Sequence, residues 1–291
     1  MKPFDKQRFT LITGAGRGLG KALAWECAGR QQNLILVALP GEGLHQLAAD
    51  IRTAHNVVIF SFELDLCEEG QCEALWQSVY EKGVQVNILI NNAGVGGTDF
   101  FGAGHIRHYQ QQIKLNVLAT STITHLFMDM LKQNSPAYIL NVGSLAVFFS
   151  LPKKQVYGAT KSFISYFSRS LRREVKPYGV FVSVVCPGGM YTNAVARHAI
   201  STGPYLCQVA AMDPEAVAPI AMNGLLHQKA LIIPGRINQA LVLLNRLLPA
   251  FIVRYFEAHA MRRMQAPPAL PVPQPLYASV HRHKETCLSQ S

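Results

Sequence analysis

Short runs of aliphatic and β-branched residues alternate along the chain with longer segments whose apolar positions recur at helical spacing. The short runs are apolar at successive positions, which is typical of strands that are buried on both faces of a parallel sheet. The predicted strands are residues 9–13, 34–38, 57–62, 88–90, 138–142, 180–185 and 230–233. The predicted helices between them are residues 19–30, 44–53, 69–82, 106–132 and 156–176.

Right-handed connections between parallel strands place helices on both sides of a sheet. The chain is therefore predicted to form an α/β three-layer Rossmann fold, with a doubly wound, seven-stranded parallel sheet and helices on both faces. Residues 1–235 contain this alternation and are predicted to form the main domain. Residues 188–212 have no place in it, and we expect them to form a lid over the edge of the site.

The C-terminal part of the chain changes in composition twice. Residues 236–265 are apolar with arginines at intervals, and Pro249 divides them, which predicts two short amphipathic helices. Residues 266–291 are rich in proline and then polar, a composition typical of a disordered tail. The predicted helices either pack on the protein itself or on a partner subunit, or they dock on a membrane surface. The sequence leaves both alternatives open.

The formal net charge is +10, from 27 Lys and Arg residues and 17 Asp and Glu residues. Because no zinc finger, recognition helix or aromatic RNA-binding motif accompanies this charge, a nucleic-acid partner is not expected. The charge fits phosphate-bearing cofactors, acidic substrates or an anionic membrane, or it is simply solvated surface. The six cysteines have no metal-ligand spacing, which predicts reduced thiols and no metal site. Without a signal peptide or an apolar run long enough to span a bilayer, we expect a cytoplasmic protein with at most peripheral membrane contact.

A glycine-rich turn, TGAGRGLG at residues 13–20, follows the first predicted strand and leads into a helix. Glycines here permit a tight turn, close approach of the backbone to a pyrophosphate, and close packing of helix against strand. A P-loop is excluded because Ala22 stands where that motif needs a hydroxyl, and Leu19 stands where G-x-G-x-x-G needs its third glycine. The turn favours a dinucleotide site, the alternative being a turn that binds nothing.

Further polar and glycine residues follow the later strands. Residues 91–94 (NNAG) follow the fourth strand, Ser144 follows the fifth, and residues 187–188 (PG) follow the sixth. Tyr157 and Lys161 are four residues apart and therefore share one face of a helix. Ligands of open α/β sheets bind at the carboxyl ends of the strands, so these residues are expected to meet at one site.

Together these motifs closely resemble those of the short-chain dehydrogenase/reductase family over roughly residues 8–235, and in particular its ketoacyl- and steroid-type reductases. The resemblance implies that this region is a catalytic domain. It implies an NAD(P)(H)-dependent oxidoreductase that interconverts a carbonyl and a secondary alcohol, reducing a hydrophobic ketone such as a fatty-acyl or steroid-like one. A homodimer or homotetramer is consistent with it. A non-catalytic nicotinamide-binding sensor and a membrane-surface adaptor are the alternatives, and the complete catalytic set argues against both.

Four residues are the candidate catalytic set: Asn116, Ser144, Tyr157 and Lys161. Tyr157 would donate a proton to the carbonyl or accept one from the alcohol, and the Lys161 cation would favour its phenolate. Ser144 would hydrogen-bond the substrate oxygen. The resemblance further implies that Lys161 holds the nicotinamide ribose and that Asn116 supports a proton relay through water.

The candidate cofactor-binding residues are Gly14, Gly16, Arg17, Gly18, Leu19, Gly20, Asp65, Leu66, Asn92, Ala93, Gly94, Tyr157, Lys161, Pro187, Gly188 and Thr192. The resemblance assigns Asp65 to the adenine, and the alternative is the N-cap of the following helix, a role that can coexist with the first. The second strand ends in neither the acidic residue that selects NAD(H) nor the arginine that selects NADP(H), and Glu42 comes shortly after. Arg17 favours NADP(H) because it could reach a 2′-phosphate, while NAD(H) stays open.

Overall fold

The strands form one parallel sheet in the order β3-β2-β1-β4-β5-β6-β7. A computed structural model of the protein describes residues 8–249 and 252. The strands are β1 (Arg8–Thr13), β2 (Asn33–Ala38), β3 (Ile59–Glu63), β4 (Gln85–Asn91), β5 (Ala137–Val142), β6 (Val180–Val185) and β7 (Leu231–Ile232). The predicted seven-stranded α/β fold is therefore confirmed.

The helices lie on both faces of this sheet. They are α1 (Gly18–Gly29), α2 (Leu44–His55), α3 (Gln71–Glu81), α4 (Ile106–Ile113), α5 (Thr120–Gln133), α6 (Gln155–Val175), α7 (Ala194–Ser201), α8 (Tyr205–Ala210), α9 (Pro214–Leu226) and α10 (Arg236–Leu247). Among the residues that the structure describes, none of the helices is long and apolar enough to cross a membrane.

Two apolar layers hold the helices to the sheet. Successive residues of a strand point to opposite faces, so Ile12 packs with α1, α2 and α9 while its neighbour Leu11 packs with α3 and α5. Both side chains are fully buried, and burying one such side chain stabilises the fold by about 1.5–3 kcal/mol. These two layers explain why the strands are apolar at successive positions.

The direction in which strands are added reverses between β1 and β4. The chain adds β2 and β3 on one side of β1, and it adds β4 to β7 on the other. At such a reversal the loops that follow the two central strands diverge and leave a crevice at their carboxyl ends. This crevice is where the glycine turn after β1 and the NNAG segment after β4 come together.

Three helical regions differ from the sequence-based prediction. The helix predicted at 106–132 is two α-helices joined by a π-helical segment, Lys114–Ala119. Helix α9 was not predicted, because Pro219 and Gly224 interrupt its apolar pattern; Gly224 is needed where Ile232 of β7 packs against it. Helix α10 begins at Arg236 and ends before Pro249, while the second predicted helix and the tail at 266–291 lie outside the described residues.

The predicted lid contains two short helices. It leaves the end of β6, forms α7 and α8, and returns through a bridge between Met190 and Met212. Helix α7 buries none of its residues, and α8 buries only Ala210. The lid therefore packs on the domain through few side chains.

Candidate active site

A cavity of about 410 Å³ opens at the carboxyl ends of the central strands. It is lined by fifteen of the candidate residues: Gly14, Arg17, Gly18, Leu19, Asp65, Leu66, Asn92, Ala93, Gly94, Ser144, Tyr157, Lys161, Pro187, Gly188 and Thr192. Gly16, Gly20 and Asn116 lie behind this lining. The fold therefore brings the separate motifs of the sequence to one cavity.

Steric contacts explain two glycines of the turn. A Cβ atom on Gly20 would lie 2.0 Å from the carbonyl oxygen of Gly14, so no larger residue fits where α1 starts. Gly14 has a φ of +64°, and a Cβ atom there would lie 2.8 Å from Cα of Ala93. The turn can pack this closely against the segment after β4 only because both positions lack a side chain.

Thr13 and Asn92 join the glycine turn to the segment after β4. The backbone N–H groups of Asn92 and Ala93 each donate to Thr13 Oγ1 at 3.0 Å. Asn92 Nδ2 donates to the carbonyl oxygens of Thr13 at 2.9 Å and of Gly14 at 3.0 Å. The Asn92 amide is thus engaged in holding the turn, and Thr13 has a structural role that the sequence analysis did not assign.

Asn116 lies in the π-helical segment and is 1% exposed. Its Nδ2 donates to the carbonyl oxygen of Val95 and to Thr160 Oγ1, both at 3.0 Å, and its Oδ1 accepts from the N–H of Val95 at 2.9 Å. Asn116 therefore ties the loop after β4 to α6, the helix that carries Tyr157 and Lys161. Irregular π turns inside α-helices are frequent at functional sites.

Ser144, Tyr157 and Lys161 meet at the inner end of the cavity. Burial raises the pKa of Tyr157 above its usual value, and the nearby Ser144 hydroxyl opposes the rise. Lys161 Nζ donates to the carbonyl oxygen of Val142 at 2.8 Å and lies 5.9 Å from the centre of the Tyr157 ring. Burial lowers the pKa of Lys161 to about 8. Tyr157 and Lys161 are thus neighbours, and Ser144 lines the same cavity.

Cys186 is a buried neighbour of this triad that the sequence analysis did not single out. It follows β6 immediately before Pro187, and a Cβ atom on Gly143 would lie 2.9 Å from its Sγ. Burial raises its pKa to about 11, although a backbone hydrogen bond from Ser144 and the Lys161 charge oppose the rise. Cys186 is therefore an uncharged packing residue beneath the site. The only feature of the sequence that could have placed Cys186 near the site was its position immediately before Pro187 and Gly188.

The alternative role considered for Asp65, an N-cap, is wrong. Helix α3 begins at Gln71, and its N-cap is Gly70. Asp65 instead accepts a hydrogen bond from the N–H of Cys67 at 2.9 Å in the loop after β3, where it lines the cavity. Gly70, with a φ of +79°, precedes the helix without any side-chain cap, so the helix starts two residues later than predicted.

Arg17 is the N-cap residue of α1 and makes no capping bond with its side chain. Its Nε lies 3.2 Å from Oε1 of Glu42, in the turn after β2. Glu42 lines the same cavity, as do Val37, Ala38 and Leu39 at the end of that strand. The one cation expected to select the cofactor is therefore already paired with a carboxylate.

The cavity fits an extended dinucleotide. Gly18 and Leu19 bring the start of α1 to its wall, so backbone N–H groups and the positive end of a helix dipole are available to phosphates. Thr192 lies close to Gly18: its Cγ2 would be 3.2 Å from a Cβ atom built on that glycine. Tyr157 and Lys161 lie at the opposite end from Glu42 along the strand edge, which gives the site a phosphate-binding middle and a reactive end.

Comparison with known proteins agrees with this geometry. Residues 8–201 match the sequence model of the short chain dehydrogenase family. Estradiol 17-beta-dehydrogenase 11 of Rattus norvegicus is 30% identical over 243 residues, covering 82% of this chain and 79% of that protein. A 3-oxoacyl-acyl-carrier-protein reductase of Aquifex aeolicus is 26% identical over 189 residues, covering 65% and 76%.

A solved structure is similar over most of the chain. The short-chain dehydrogenase from Sphingobium yanoikuyae, determined in complex with NADPH, superposes with a TM-score of 0.71. It is 26% identical in sequence, and the match covers 90% of this chain and 98% of that one. The similarity extends beyond the residues that match the family model, through α9 and β7.

Proposed function

The chain belongs to the short-chain dehydrogenase family, and we propose that it interconverts a hydrophobic ketone and its secondary alcohol. Membership of this family makes the chain an oxidoreductase that acts on hydroxyl or keto groups with NAD(P). The observation that carries the proposal is that Ser144, Tyr157 and Lys161 line one cavity, with Lys161 Nζ 5.9 Å from the centre of the Tyr157 ring. This arrangement supplies a proton donor, Tyr157, beside a polarising hydroxyl, Ser144.

Each residue has a distinct part in the reaction. The nicotinamide, when bound, supplies the hydride for reduction of a ketone or accepts it from an alcohol. Tyr157 donates its phenolic proton to the carbonyl oxygen, or takes the proton of the alcohol in the reverse direction. Ser144 hydrogen-bonds that same oxygen and so fixes it beside the phenol. The Lys161 cation stabilises the phenolate that remains.

Asn116 keeps these groups in register. Its three hydrogen bonds join the cavity wall at Val95 to Thr160, which is one residue before Lys161. The side chain has no further donor, so we propose that it acts by positioning, and that any relay of protons uses the backbone around it. A misplacement of about 1 Å at such a site lowers turnover strongly.

The substrate class is supported by the wall of the cavity and by the names of the relatives. Val95, Leu115 and Met190 contribute apolar side chains to the wall. One relative is named for a steroid and another for a 3-oxoacyl group, and both names describe hydrophobic carbonyl compounds or their alcohols. We therefore propose a fatty-acyl or steroid-like ketone as the substrate.

The experiment that tests the proposal is a panel of ketones assayed with NADPH and with NADH. Consumption of the reduced nicotinamide is followed by its absorbance, and the alcohol is identified by mass spectrometry. We expect turnover of steroid or long-chain 3-oxo compounds and little turnover of short polar ketones. Binding of the cofactor without turnover of any ketone or alcohol would favour a sensor instead.

We propose a modest preference for NADP(H). Arg17, at the start of α1, is the cation positioned to meet a 2′-phosphate, and Ala38 at the end of β2 presents no carboxylate to repel one. The preference is limited by the ion pair between Arg17 and Glu42. The assay with both cofactors measures it directly.

We further propose peripheral membrane contact through α10. This helix buries Asn238 and Val242 against the domain but exposes Leu243 by 58% and Leu247 by 73%. Arg246 lies between these leucines in sequence, and exposed leucines next to arginine are typical of helices that dock on anionic lipid.

Sedimentation with phosphatidylserine vesicles tests the membrane contact. The double substitution Leu243→Ser and Leu247→Ser should abolish co-sedimentation, because it removes the apolar area that would enter the interface. Val58→Ser is the matched control, since Val58 is 51% exposed elsewhere on the surface. If the wild-type protein does not sediment with the vesicles, the leucines cover a protein surface instead.

A homodimer is proposed from a second exposed apolar surface. Ile106, Ile113 and Leu118 on the α4 side and Phe163 and Tyr166 on α6 are each at least 41% exposed. Helices α4 and α6 are in contact, so these side chains belong to neighbouring elements. Exposed apolar side chains grouped in this way are typical of subunit interfaces. Sedimentation equilibrium distinguishes a monomer, a dimer and a tetramer.

A further inference from the structure

A second lysine, Lys154, lies beside the ring of Tyr157. It is the N-cap residue of α6 and precedes Tyr157 by less than one helical turn. Its Nζ is 5.3 Å from the centre of the Tyr157 ring, and Lys161 Nζ is 5.9 Å from the same point. Two ammonium groups are therefore close to the residue that exchanges the proton, and the proposed reaction uses only that of Lys161.

Lys154 is held in place by the loop after β4. Its Nζ donates to Thr98 Oγ1 at 2.9 Å and to the carbonyl oxygen of Gly97 at 3.4 Å. The N–H of Asp99 donates to the carbonyl oxygen of Lys153 at 3.0 Å, which joins the same two segments a second time. Lys153 has a φ of +63°, a conformation that is uncommon for a residue with a side chain. The position of the Lys154 ammonium group is therefore determined by contacts on both sides.

The charge of Lys154 has no paired carboxylate. The side chain is half-buried, and in the part of the chain that the structure describes Lys154 belongs to none of the ion pairs. Both of its hydrogen-bond partners are neutral oxygen atoms, and burial lowers the pKa of Lys154. Holding a cation in this way is unfavourable for stability. A cost of this kind beside a reactive group is typical of side chains that serve a function.

The remaining titratable groups near Tyr157 and Lys154 do not cancel this charge. They are Cys186 after β6, His108 and Tyr109 on α4, and Asp99 and Lys153 in the two loops. Among them only Asp99 is an anion at neutral pH, and its side chain is exposed. Because water screens an exposed carboxylate, Asp99 has little effect on the field of Lys154 at the ring.

We propose that Lys154 is a second cation that stabilises the phenolate of Tyr157 during the reaction, acting through Tyr157 and not on the substrate. The phenolate forms when Tyr157 gives its proton to the carbonyl oxygen, and it is the species that takes the proton of the alcohol in the reverse direction. An opposite charge within about 4–6 Å favours the charged form of such a group. The inference rests on the proposed function, because it requires Tyr157 to exchange this proton.

The pH dependence of turnover in both directions tests the role of Lys154. Oxidation of an alcohol needs the phenolate, so its rate rises with pH through the apparent pKa of Tyr157, and reduction of the ketone falls over the same range. Lys154→Gln keeps a hydrogen-bond donor near Thr98 and removes the charge. We expect it to move both profiles to higher pH by about 0.5–1 pH unit. Lys154→Arg keeps the charge and should move them by less than about 0.3 pH unit.

Lys153→Gln is the matched control, because it removes an equal charge one residue away. Lys153 Nζ lies 4.3 Å from the centre of the Phe100 ring, and this variant should leave both profiles in place. Profiles that stay in place in Lys154→Gln would overturn the proposal, whether or not turnover falls, and so would an equal displacement in Lys154→Arg. Absence of turnover by the wild-type protein with either nicotinamide cofactor would instead contradict the proposed function.

Discussion

The catalytic helix α6 and the lid segment that carries α7 and α8 both reach the cavity, the lid through Met190, Thr192 and Asn193, but they are held in opposite ways. Helix α6 buries the polar residues Thr160, Lys161, Ser165 and Ser168, whereas α7 buries nothing. Ser168 accepts from Asn141 Nδ2 at 2.9 Å, which joins α6 to the centre of the sheet. The reactive groups are thus attached to the core through several buried polar side chains, whereas the lid contacts the core through a few apolar ones, Met190, Met212 and Ala210.

This difference between α6 and the lid indicates which part of the site must have a fixed geometry. A buried polar side chain that loses its partner costs about 1–3 kcal/mol, so the network around α6 has one favourable arrangement. A segment with few buried contacts opens at low cost and can adapt to bulky substrates. We infer that proton transfer depends on the first region and substrate size on the second.

The largest effect is expected at Tyr157. Tyr157→Phe keeps the ring but removes the proton that is exchanged, so turnover should fall at least about 100-fold. Cofactor binding, measured by fluorescence, should persist. Tyr166→Phe is the control, since Tyr166 lies on the same helix and is 71% exposed. Near-normal turnover of Tyr157→Phe would contradict the mechanism.

Lys161 tests whether the polar groups buried on α6 serve catalysis or stability. Its charge is needed for the reaction but is unfavourable for folding. Burial lowers its pKa from 10.5 to about 8, so below pH 8 the folded protein carries a charge that it would be more stable without. Lys161→Met should therefore abolish most activity, yet raise the free energy of unfolding at pH 7 by about 1–2 kcal/mol, because the lost bond to the carbonyl oxygen of Val142 offsets part of the gain.

The stability difference between Lys161→Met and the wild type should depend on pH. Between pH 8 and 10.5 the unfolded chain binds more protons at Lys161 than the folded protein does, so the wild type gains stability as pH rises. The advantage of Lys161→Met should be full below pH 8 and shrink toward pH 10.5 in urea denaturation. Lys229→Met, at an exposed position, should show no such trend. A destabilised Lys161→Met at pH 7 would refute the argument.

The smallest effect is expected in the lid. Val195 on α7 is 79% exposed, and Val217 on α9 is fully buried. Val195→Ala should change the free energy of unfolding by less than about 0.5 kcal/mol, whereas Val217→Ala should cost about 1.5–3 kcal/mol. Equal losses in thermal denaturation would mean that the lid is as firmly packed as the core.

Local patterns predicted most of the fold. The strands were visible because their two-sided burial requires successive apolar residues, and the glycine turn because Gly14 and Gly20 sit where a Cβ atom would collide with backbone. Helix α9 was missed because Pro219 and Gly224 break its periodicity for reasons of packing. The π-helical segment at Lys114–Ala119 was missed because widening one turn leaves no mark in residue type.

The sequence by itself determined the motifs and their order, because tight turns and close backbone contacts at the strand ends require particular residue types, such as glycine. The tertiary structure decided which side chains meet. Arg17 and Glu42 are 25 residues apart and become an ion pair only because β1 and β2 are neighbours in the sheet. In the same way, Asn116 reaches Val95 and Thr160 only after three separate elements have packed. Long-range pairs of this kind depend on distances in the folded chain, which spacing along the sequence does not contain.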